Sequence, residues 1–325
     1  MAHAGHPDRE WGAARGREAR APREIPAPGW RDILWRVKDR IAADNLSIIS
    51  AGVAFYALLA IFPALIALVG LYGMLFDPQQ VSRHLSALTA VLPGDAANLI
   101  GEQLGEVTSM ERTSLGVGSI AAVLFALWSA SAGMRTLMTA LDVAYREKET
   151  RGTIKFYGSS LLLTLGALLG GIFAIVVVVA LPVALKFLGL DERVEAVVSY
   201  ARWPLLAAVM LVGLAIVYRY GPDRDKPQWR WVTWGAVIAT LLWIGGSALF
   251  SLYVTRFGDY NKTYGSMGAV VILMTWFLLT AYILLVGAEI NAEMERQTRA
   301  DTTEGPPAAL GRRGAYAADT VGRTP

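Results

Sequence analysis

Residues 250–293, FSLYVTRFGDYNKTYGSMGAVVILMTWFLLTAYILLVGAEINAE, are the part of the sequence that decides the fold. From Thr263 to Ala288 this stretch contains no charged residue. A helix rises about 1.5 Å per residue, so roughly 20 apolar residues cross a hydrocarbon core of about 30 Å. The stretch therefore predicts a membrane-spanning helix over 264–290. Polar side chains mark its two ends, with Asp259, Tyr260, Asn261 and Tyr264 at the entry and Glu289, Asn291 and Glu293 at the exit.

The composition of the whole chain agrees with this prediction. Apolar residues make up 54% of the sequence and charged residues only 18%, and the apolar residues occur in long continuous blocks. These blocks exclude an ordinary soluble domain. They also differ from the short alternating segments of an outer-membrane barrel. We predict an all-α, polytopic helical membrane protein.

Six apolar blocks predict six transmembrane helices within a membrane domain covering 30–295. Pro63 should kink the first of these helices. In the third, Gly166 and Gly170 form a GxxxG step, which predicts a tight helix crossing. The predicted spans are 46–76, 113–141, 157–186, 202–219, 231–255 and 264–290.

The segments outside the spans separate into arms and surface helices. Residues 1–29 are rich in Arg, Ala, Pro and Gly and have no apolar run, so we predict a disordered basic N-terminal arm. We also predict that 296–325 is a disordered cytoplasmic tail. Between 29 and 44, apolar residues at helical spacing among arginines indicate an amphipathic helix on the membrane surface. Two further amphipathic surface helices are predicted in 77–112.

The distribution of Lys and Arg predicts the orientation. In a six-span arrangement, the segments on the side of the two termini hold 22 of these residues and the opposite side holds six. Cytoplasmic segments carry the excess of positive charge in membrane proteins. Both termini are therefore predicted to face the cytoplasm, and the hairpin at 259–266 is predicted to face outward.

Arg135 and Asp142 are the charges that intrude furthest into the second apolar block, and two interpretations of Arg135 stay open. Seven residues separate the two side chains, so they share a helix face and both can point into a helix bundle. Alternatively, Arg135 snorkels to the headgroups at the cytoplasmic surface. We predict Glu289 as the better partner for Arg135, because both residues lie toward the cytoplasmic side.

Several motifs in this chain together resemble the YihY/BrkB family of bacterial inner-membrane proteins, once mislabelled ribonuclease BN. The resemblance covers about Trp30 to Glu295, and its motifs are highly specific in combination. They are FYALLAIFP (55–63), WSASAGMRTLMTALDVAY (128–145), YRYGP (218–222), FSLYVTRFGDYNKTYGSMGA (250–269) and LLVGAEINAE (284–293). Two residues depart from the family pattern: Ala60 stands where Ser is frequent, and Asp142 where Asn is frequent. The resemblance implies six helices with cytoplasmic termini, and an association with virulence and with lipid passage across the cell envelope.

The sequence favours a non-enzymatic protein that moves or holds a lipid or another amphiphile in cell-envelope homeostasis. Arg135 and Arg219 would attract an anionic headgroup. Tyr56, Tyr260 and Tyr264 would line its path, although tyrosines at span ends are also typical of the aromatic belt. Structural roles suit Pro63 as a kink and Asn261 and Gly265 as turn residues. Asn291, at the exit of the last span, is predicted to have either a functional or a structural role. Membrane lipids, an envelope protein and a second copy of the chain are the expected partners.

Two other classes of function remain as alternatives. An envelope scaffold would dock a partner through 77–112 and the cytoplasmic arms. A ribonuclease or an intramembrane hydrolase is disfavoured, because the chain lacks cysteine, has three histidines and carries no HExxH, GxSxG or P-loop pattern. We therefore expect no catalytic residue, no cofactor and no metal. Nucleic-acid binding is also not expected, since anionic lipid accounts for positive charge beside the spans.

Overall fold

The structure of the chain is a computed structural model that describes residues 14–75, 117–180, 192–257 and 266–324. These residues form α-helices, and their one strand-like pairing is an isolated antiparallel bridge between Pro227 and Thr303. The predicted all-α class is thus confirmed for the described part of the chain. The helices are α1 (Ala27–Ala43), α2 (Leu46–Leu75), α3 (Val117–Tyr145), α4 (Thr153–Ile175, continued by a π-helical turn at Val176–Ala180), α5 (Glu192–Tyr220), α6 (Trp229–Phe257), α7 (Ser266–Glu295) and α8 (Tyr316–Asp319).

The six long helices α2–α7 correspond to the six predicted spans. Five of them contain a segment that is long and apolar enough to cross a membrane: Leu46–Ala64, Thr153–Val178, Tyr200–Tyr220, Trp229–Arg256 and Val270–Glu295. The remaining long helix, α3, covers the predicted span 113–141 and carries Arg135 and Asp142. Six spans therefore remain a prediction, while a helical protein with several membrane-spanning segments is supported.

The chain forms two compact units. The first consists of Met1–Tyr56, Arg135–Ser160 and Ala207–Pro325, and the second of Ala57–Met134 and Leu161–Leu206. The boundary falls inside α2, α3, α4 and α5, so each of these helices contributes residues to both units.

In the first unit, α6 packs along α7, and α1 also lies against α7. Between α6 and α7, the Trp243 indole N–H donates to Thr280 Oγ1 at 3.2 Å, and the Trp243 and Trp276 rings meet edge to face. Buried residues from α2, α3 and α5 complete the same apolar core, among them Leu46, Leu141 and Leu214.

Helix α1 confirms the predicted helix near the N-terminus but not the direction of its apolar stripe. Ile33 and Val37 are buried in a cluster with Trp231, Ile290 and Met294. The stripe therefore faces protein instead of a membrane surface. An amphipathic pattern shows only that one face avoids water, so the sequence could not distinguish these two environments.

The described parts of the two terminal segments are ordered, so the predictions of a disordered arm and a disordered tail are wrong for 14–29 and 296–324. Arg17 is buried and donates to the carbonyl oxygens of Arg296, Gln297 and Gly322. The tail also pairs with the loop before α6, where Gln228 N–H donates to Thr302 O at 2.8 Å. Guanidinium groups that bind several carbonyls can fix segments whose composition otherwise resembles disorder.

In the second unit, the glycine face of α4 has no described neighbour. A Cβ atom added at Gly166, Gly170 or Gly171 would meet no heavy atom within 4 Å among the described residues, apart from nearby backbone of its own helix. Leu162 and Leu169 on the same helix are exposed. The described residues therefore do not form the tight helix crossing predicted from this GxxxG step.

Candidate functional site: a buried polar layer at the end of the last helix

The C-terminal end of α7 carries an unusual density of buried polar side chains, which we call the polar layer. Buried polar groups normally require hydrogen-bonding partners, so each of these side chains calls for an account of its contacts. The layer comprises Asp32, Arg36, Asp142, Arg219, Arg224, Glu289, Asn291, Glu293, Glu295, Arg296 and Gln297. All of them lie in the first unit.

Asn291 joins α7 to α6. Its side-chain oxygen accepts a hydrogen bond from Gly235 N–H at 2.8 Å, and its Nδ2 donates to Val232 O at 3.2 Å. The side chain is fully buried, so both bonds form away from water. The Asn291 side chain therefore holds α7 against α6.

Two glycines make this contact between α6 and α7 sterically feasible. A Cβ atom at Gly235 would collide with the Asn291 side chain and with Gly287 O. A Cβ atom at Gly287 would collide with the Tyr218 hydroxyl, which donates to Leu284 O at 2.7 Å. The two glycines thus let three helices approach closely. Neither glycine was predicted from the sequence: Gly235 is followed by Ala239 at small-xxx-small spacing, a step common in membrane helices, and Gly287 has no small residue four positions away.

Glu293 lies at the centre of a buried ionic network. Arg36 Nε donates to Glu293 Oε2 at 2.5 Å, and Arg296 donates to Glu293 Oε1. Arg36 also donates to Gln297 Oε1 at 2.8 Å and to the backbone oxygen of Arg323 at 2.9 Å. This network joins α1, α7 and the tail, and the two arginines leave Glu293 fully paired.

Arg224 and Glu295 form a second buried ion pair. Both nitrogens of the Arg224 fork donate to the Glu295 carboxylate, at 2.9 and 2.7 Å, and neither side chain is exposed. Thr302 Oγ1 donates to Glu295 Oε2 as well, at 2.7 Å. Burial alone would lower the pKa of Arg224, but the charge and hydrogen bonds of Glu295 outweigh it and raise that pKa. The bidentate geometry is the arrangement that best offsets the cost of desolvating two charges.

Asp142 fixes the turn after α5. The residue follows the predicted span 113–141, and its Oδ1 accepts a hydrogen bond from Asp223 N–H at 2.7 Å. Its Oδ2 is buried without a hydrogen-bond partner among the described residues. Burial raises the pKa of Asp142 to about 6. Asp142 therefore binds backbone and is not the partner of Arg135.

Arg219 connects the end of α5 to the tail. It donates to Pro227 O, pairs with Glu304 at 2.6 Å, and lies 4.5 Å from the centre of the Trp229 ring. The hydrogen bond from the Arg219 guanidinium lowers the pKa of the Glu304 carboxyl. A structural role accounts for these contacts of Arg219, whereas a headgroup role remains a prediction.

Glu289 is almost fully buried, and its electrostatic neighbours are Asp44, Arg40 and Glu293. One of its oxygens, Oε1, has no hydrogen-bond partner in the described part of the chain. The predicted pairing with Arg135 is wrong, because Glu289 faces the junction of α1 and α2. Glu289 and Arg135 both lie toward one end of the spans, but this shared position does not show that they are in contact.

Arg135 instead lies beside an aromatic ring. Its guanidinium carbon is 4.7 Å from the centre of the Tyr157 ring on α4, within the range of a cation–π contact. The side chain is partly buried. This position combines features of the two interpretations, since the cation has a protein neighbour without being fully enclosed.

The remaining predicted positions lie elsewhere. Tyr56 is exposed on α2, and Pro63 lies inside the same continuous helix. Tyr260, Asn261, Tyr264 and Gly265, together with both amphipathic helices predicted in 77–112, fall outside the described residues. The described part of the chain contains no group of three or more His, Cys, Asp or Glu side chains arranged to hold a metal ion.

Arg36, Arg224 and Glu295 were not predicted from the sequence, although they form two buried ion-pair networks. Each stands in a charged segment that reads as solvated surface. For Glu295 a usable signal was present, since acidic residues repeat at 289, 293 and 295 beyond an apolar span. No comparable signal marked Arg36 or Arg224, because their partners are more than 70 residues away in sequence.

Comparisons with known proteins agree with this architecture. Residues 37–311 match the model of the family described as virulence factor BrkB. The chain is 34% identical over 260 residues to the ribonuclease-like protein YfkH of Bacillus subtilis, covering 77% of this chain and 90% of that protein. It is 29% identical to a UPF0761 membrane protein of Idiomarina loihiensis, covering 79% and 88% of the two chains.

A third relative is the UPF0761 membrane protein YihY of Salmonella typhimurium, which is 27% identical over 83% of this chain and 89% of its own length. No solved structure matches the chain. The family match extends over most of the sequence and includes every residue of the polar layer except Asp32 and Arg36. The chain therefore belongs to the YihY/BrkB family of membrane proteins.

Proposed function

We propose that the protein is a non-enzymatic inner-membrane protein that holds or moves a lipid or another amphiphile in envelope homeostasis, with both termini in the cytoplasm. The excess of Lys and Arg on the side of the termini supports this orientation. The described parts of the arm and the tail belong to the same unit as the polar layer, as expected if these charged segments lie on one side of the membrane.

The open glycine face of α4 is the observation that carries the proposal. Three glycines within six residues leave a strip of helix without side chains, and the described residues place nothing against it. The flanking Leu162 and Leu169 are exposed and apolar. An acyl chain can lie along such a strip and gain van der Waals contact that no described helix supplies.

The surroundings of Arg135 support a ligand with an anionic headgroup. The Arg135 guanidinium is partly buried beside the Tyr157 ring, and in such surroundings a cation attracts a phosphate group more strongly than it does in water. Such a cation would favour amphiphiles with anionic headgroups.

The surroundings of the carboxylates support a non-enzymatic role. Glu293 and Glu295 are held by arginines, and Asp142 accepts a backbone hydrogen bond. Phosphodiester hydrolysis needs carboxylates that are free to bind a metal or activate water. We expect the purified protein to leave RNA intact with and without divalent cations. RNA cleavage that disappears in Asp142→Ala would overturn this part of the proposal.

Depletion of the protein in cells with labelled phospholipids tests the lipid role. We expect a changed distribution of label between leaflets or between envelope membranes. Wild type and Arg230→Ala, which removes an exposed arginine, should restore the distribution, whereas Arg135→Ala should restore it only in part. An unchanged distribution after depletion would contradict the proposal.

The same depletion experiment distinguishes the lipid role from the alternative role of an envelope scaffold. The tight packing of the first unit favours this alternative, since a rigid body suits partner docking. A scaffold should tolerate Arg135→Ala but fail when 77–112 is replaced by an unrelated sequence. A lipid-handling protein should respond to both changes.

A further inference from the structure

A cleft of about 480 Å³ opens at the charged end of the first unit, between α1, the end of α7 and the tail. Five arginines line it: Arg36, Arg40, Arg146, Arg296 and Arg323. Two carboxylates, Asp39 and Glu293, line it as well. Positive groups therefore outnumber negative groups in the wall of this cleft.

Part of this charge is already neutralised within the protein. Arg36 and Arg296 share Glu293, and Arg40 pairs with Asp44. The described ion pairs include none for Arg146 or Arg323. These two arginines are consequently the charges available to an incoming anion.

Arg146 is positioned by its surroundings, not by a carboxylate. It donates to the Tyr316 hydroxyl at 2.7 Å, and its guanidinium carbon lies 5.3 Å from the centre of the same ring. Its backbone has a φ of 59°, an uncommon conformation for a residue with a side chain. The tail thus fixes this arginine through Tyr316, with guanidinium donors left over for a ligand.

The chemistry of the cleft matches a phosphate group. Guanidinium groups bind phosphate through paired N–H donors, and several arginines around one cleft are typical of phosphate recognition. The volume is larger than one phosphate requires, and the partly exposed Trp35 offers an apolar surface for an attached organic group. A neutral ligand would leave the donors of Arg146 and Arg323 without a charged acceptor.

The geometry points to a binding site for a phosphate-bearing anion in this cleft, contacted by Arg146 and Arg323 and closed on one side by the tail. The source of the phosphate is either a soluble phosphorylated molecule or the headgroup of an anionic phospholipid. Because Tyr316, Thr320 and Arg323 belong to the tail, binding also fastens the tail to α1 and α7. This site is independent of the proposed lipid contact on α4.

Thermal unfolding of the full-length protein in detergent provides the first test. We expect sodium phosphate to raise the unfolding temperature in a saturable manner, beyond sodium chloride at matched ionic strength. In the double variant Arg146→Gln/Arg323→Gln, half of the effect should require about tenfold more phosphate, as expected for lost charged hydrogen bonds. Arg312→Gln is the control, since Arg312 lies in the tail outside the cleft.

Nanodiscs of phosphatidylglycerol and of phosphatidylcholine identify the source. Stabilisation by phosphatidylglycerol that requires the two arginines would assign the site to a lipid headgroup. Stabilisation by phosphate alone would assign it to a soluble ligand.

If the double variant does not fold, Arg323→Gln alone replaces it, because the described hydrogen bonds and ion pairs include none from the Arg323 side chain. The single variant should then need several times more phosphate than wild type. Absence of any arginine-dependent stabilisation by either probe would overturn the proposal. An equal loss in Arg312→Gln would overturn it as well.

Discussion

Two glycine pairs in apolar helices have opposite surroundings. At Gly235 and Gly287, an added Cβ atom would collide with Asn291, Tyr218 or the facing backbone. At Gly166 and Gly170, it would meet nothing within 4 Å among the described residues beyond nearby backbone of its own helix. The residue type and the helical setting are the same. The difference shows that a glycine is a packing device only where a neighbouring helix presents a group that needs the space.

The first pair, Gly235 and Gly287, lies in the part of the protein that maintains the fold. Around it, Asn291, Glu293 and Glu295 are buried and bonded to other segments. The second pair, Gly166 and Gly170, has no such polar contacts among the described residues, and we propose that a lipid contacts its face. This contrast separates the part of the molecule that maintains the fold from the part that we propose acts on a ligand.

The largest effect is expected from Gly235→Leu. The new side chain would have to displace Asn291 and separate α6 from α7, which we expect to lower the free energy of unfolding by about 3 kcal/mol or more. Thermal unfolding in detergent and the yield of monodisperse protein measure this loss. The matched control is Gly170→Leu, which should fold like wild type. Equal losses in the two variants would remove the distinction between the glycine pairs.

Asn291→Ala should have the next largest effect. The substitution breaks two buried hydrogen bonds to α6 and leaves Val232 O and Gly235 N–H without their side-chain partner. We expect a loss of about 2 kcal/mol in unfolding free energy. Thr275→Ala on the same helix is the control, since Thr275 bonds only the preceding turn. A loss no greater than in the control would show that the amide does not hold the two helices together.

Asp142→Asn should stabilise the protein in a pH-dependent way. The pKa of Asp142 is raised to about 6 in the folded protein, so this carboxyl favours folding below its unfolded pKa of about 3.8 and loses that contribution as the pH rises through 6. Asparagine retains the acceptor for Asp223 N–H without the charge. We expect a gain of about 1 kcal/mol at pH 8, after allowance for solvent screening, and a smaller gain at pH 5. Unfolding temperatures at both pH values provide the measurement, and a gain that grows toward acid would contradict the assigned cause.

The smallest effects should come from Gly166→Ala and Gly170→Ala. Nothing described crowds either position, and alanine favours helix more than glycine does, so we expect a change of about 0.5 kcal/mol toward higher stability. Thermal unfolding of the two single variants tests this. A clear loss of stability would mean that another chain packs against this face in the purified protein.

The sequence predicted the helices better than their contacts. Apolar blocks placed α2–α7 closely, because the thickness of a bilayer limits the length of a span. Asn291 was selected only as a polar position at the exit of the last span, with a functional or a structural role left open. The contact itself could not be predicted, because Val232 and Gly235 become its neighbours only when α6 folds against α7.

The errors have identifiable physical causes. The GxxxG step on α4 predicted a crossing because the motif permits close approach, although it does not provide the second helix. The tail was predicted to be disordered from its polar composition, whereas Arg313 donates to four backbone oxygens within it and orders it. Arg135 was paired with Glu289 only because both residues lie toward the same side of the membrane. A shared side does not show that two side chains are in contact.

Photocrosslinking at position 170 tests the central claim most directly. A photoreactive amino acid replaces Gly170 in membranes that contain phosphorus-labelled phospholipid, and the buried position Ile283 serves as the control. The account predicts that the probe at 170 attaches to phospholipid while the probe at 283 attaches within the chain. Attachment at 170 to a second protein chain, without labelled lipid, would contradict the claim that this face is open to lipid.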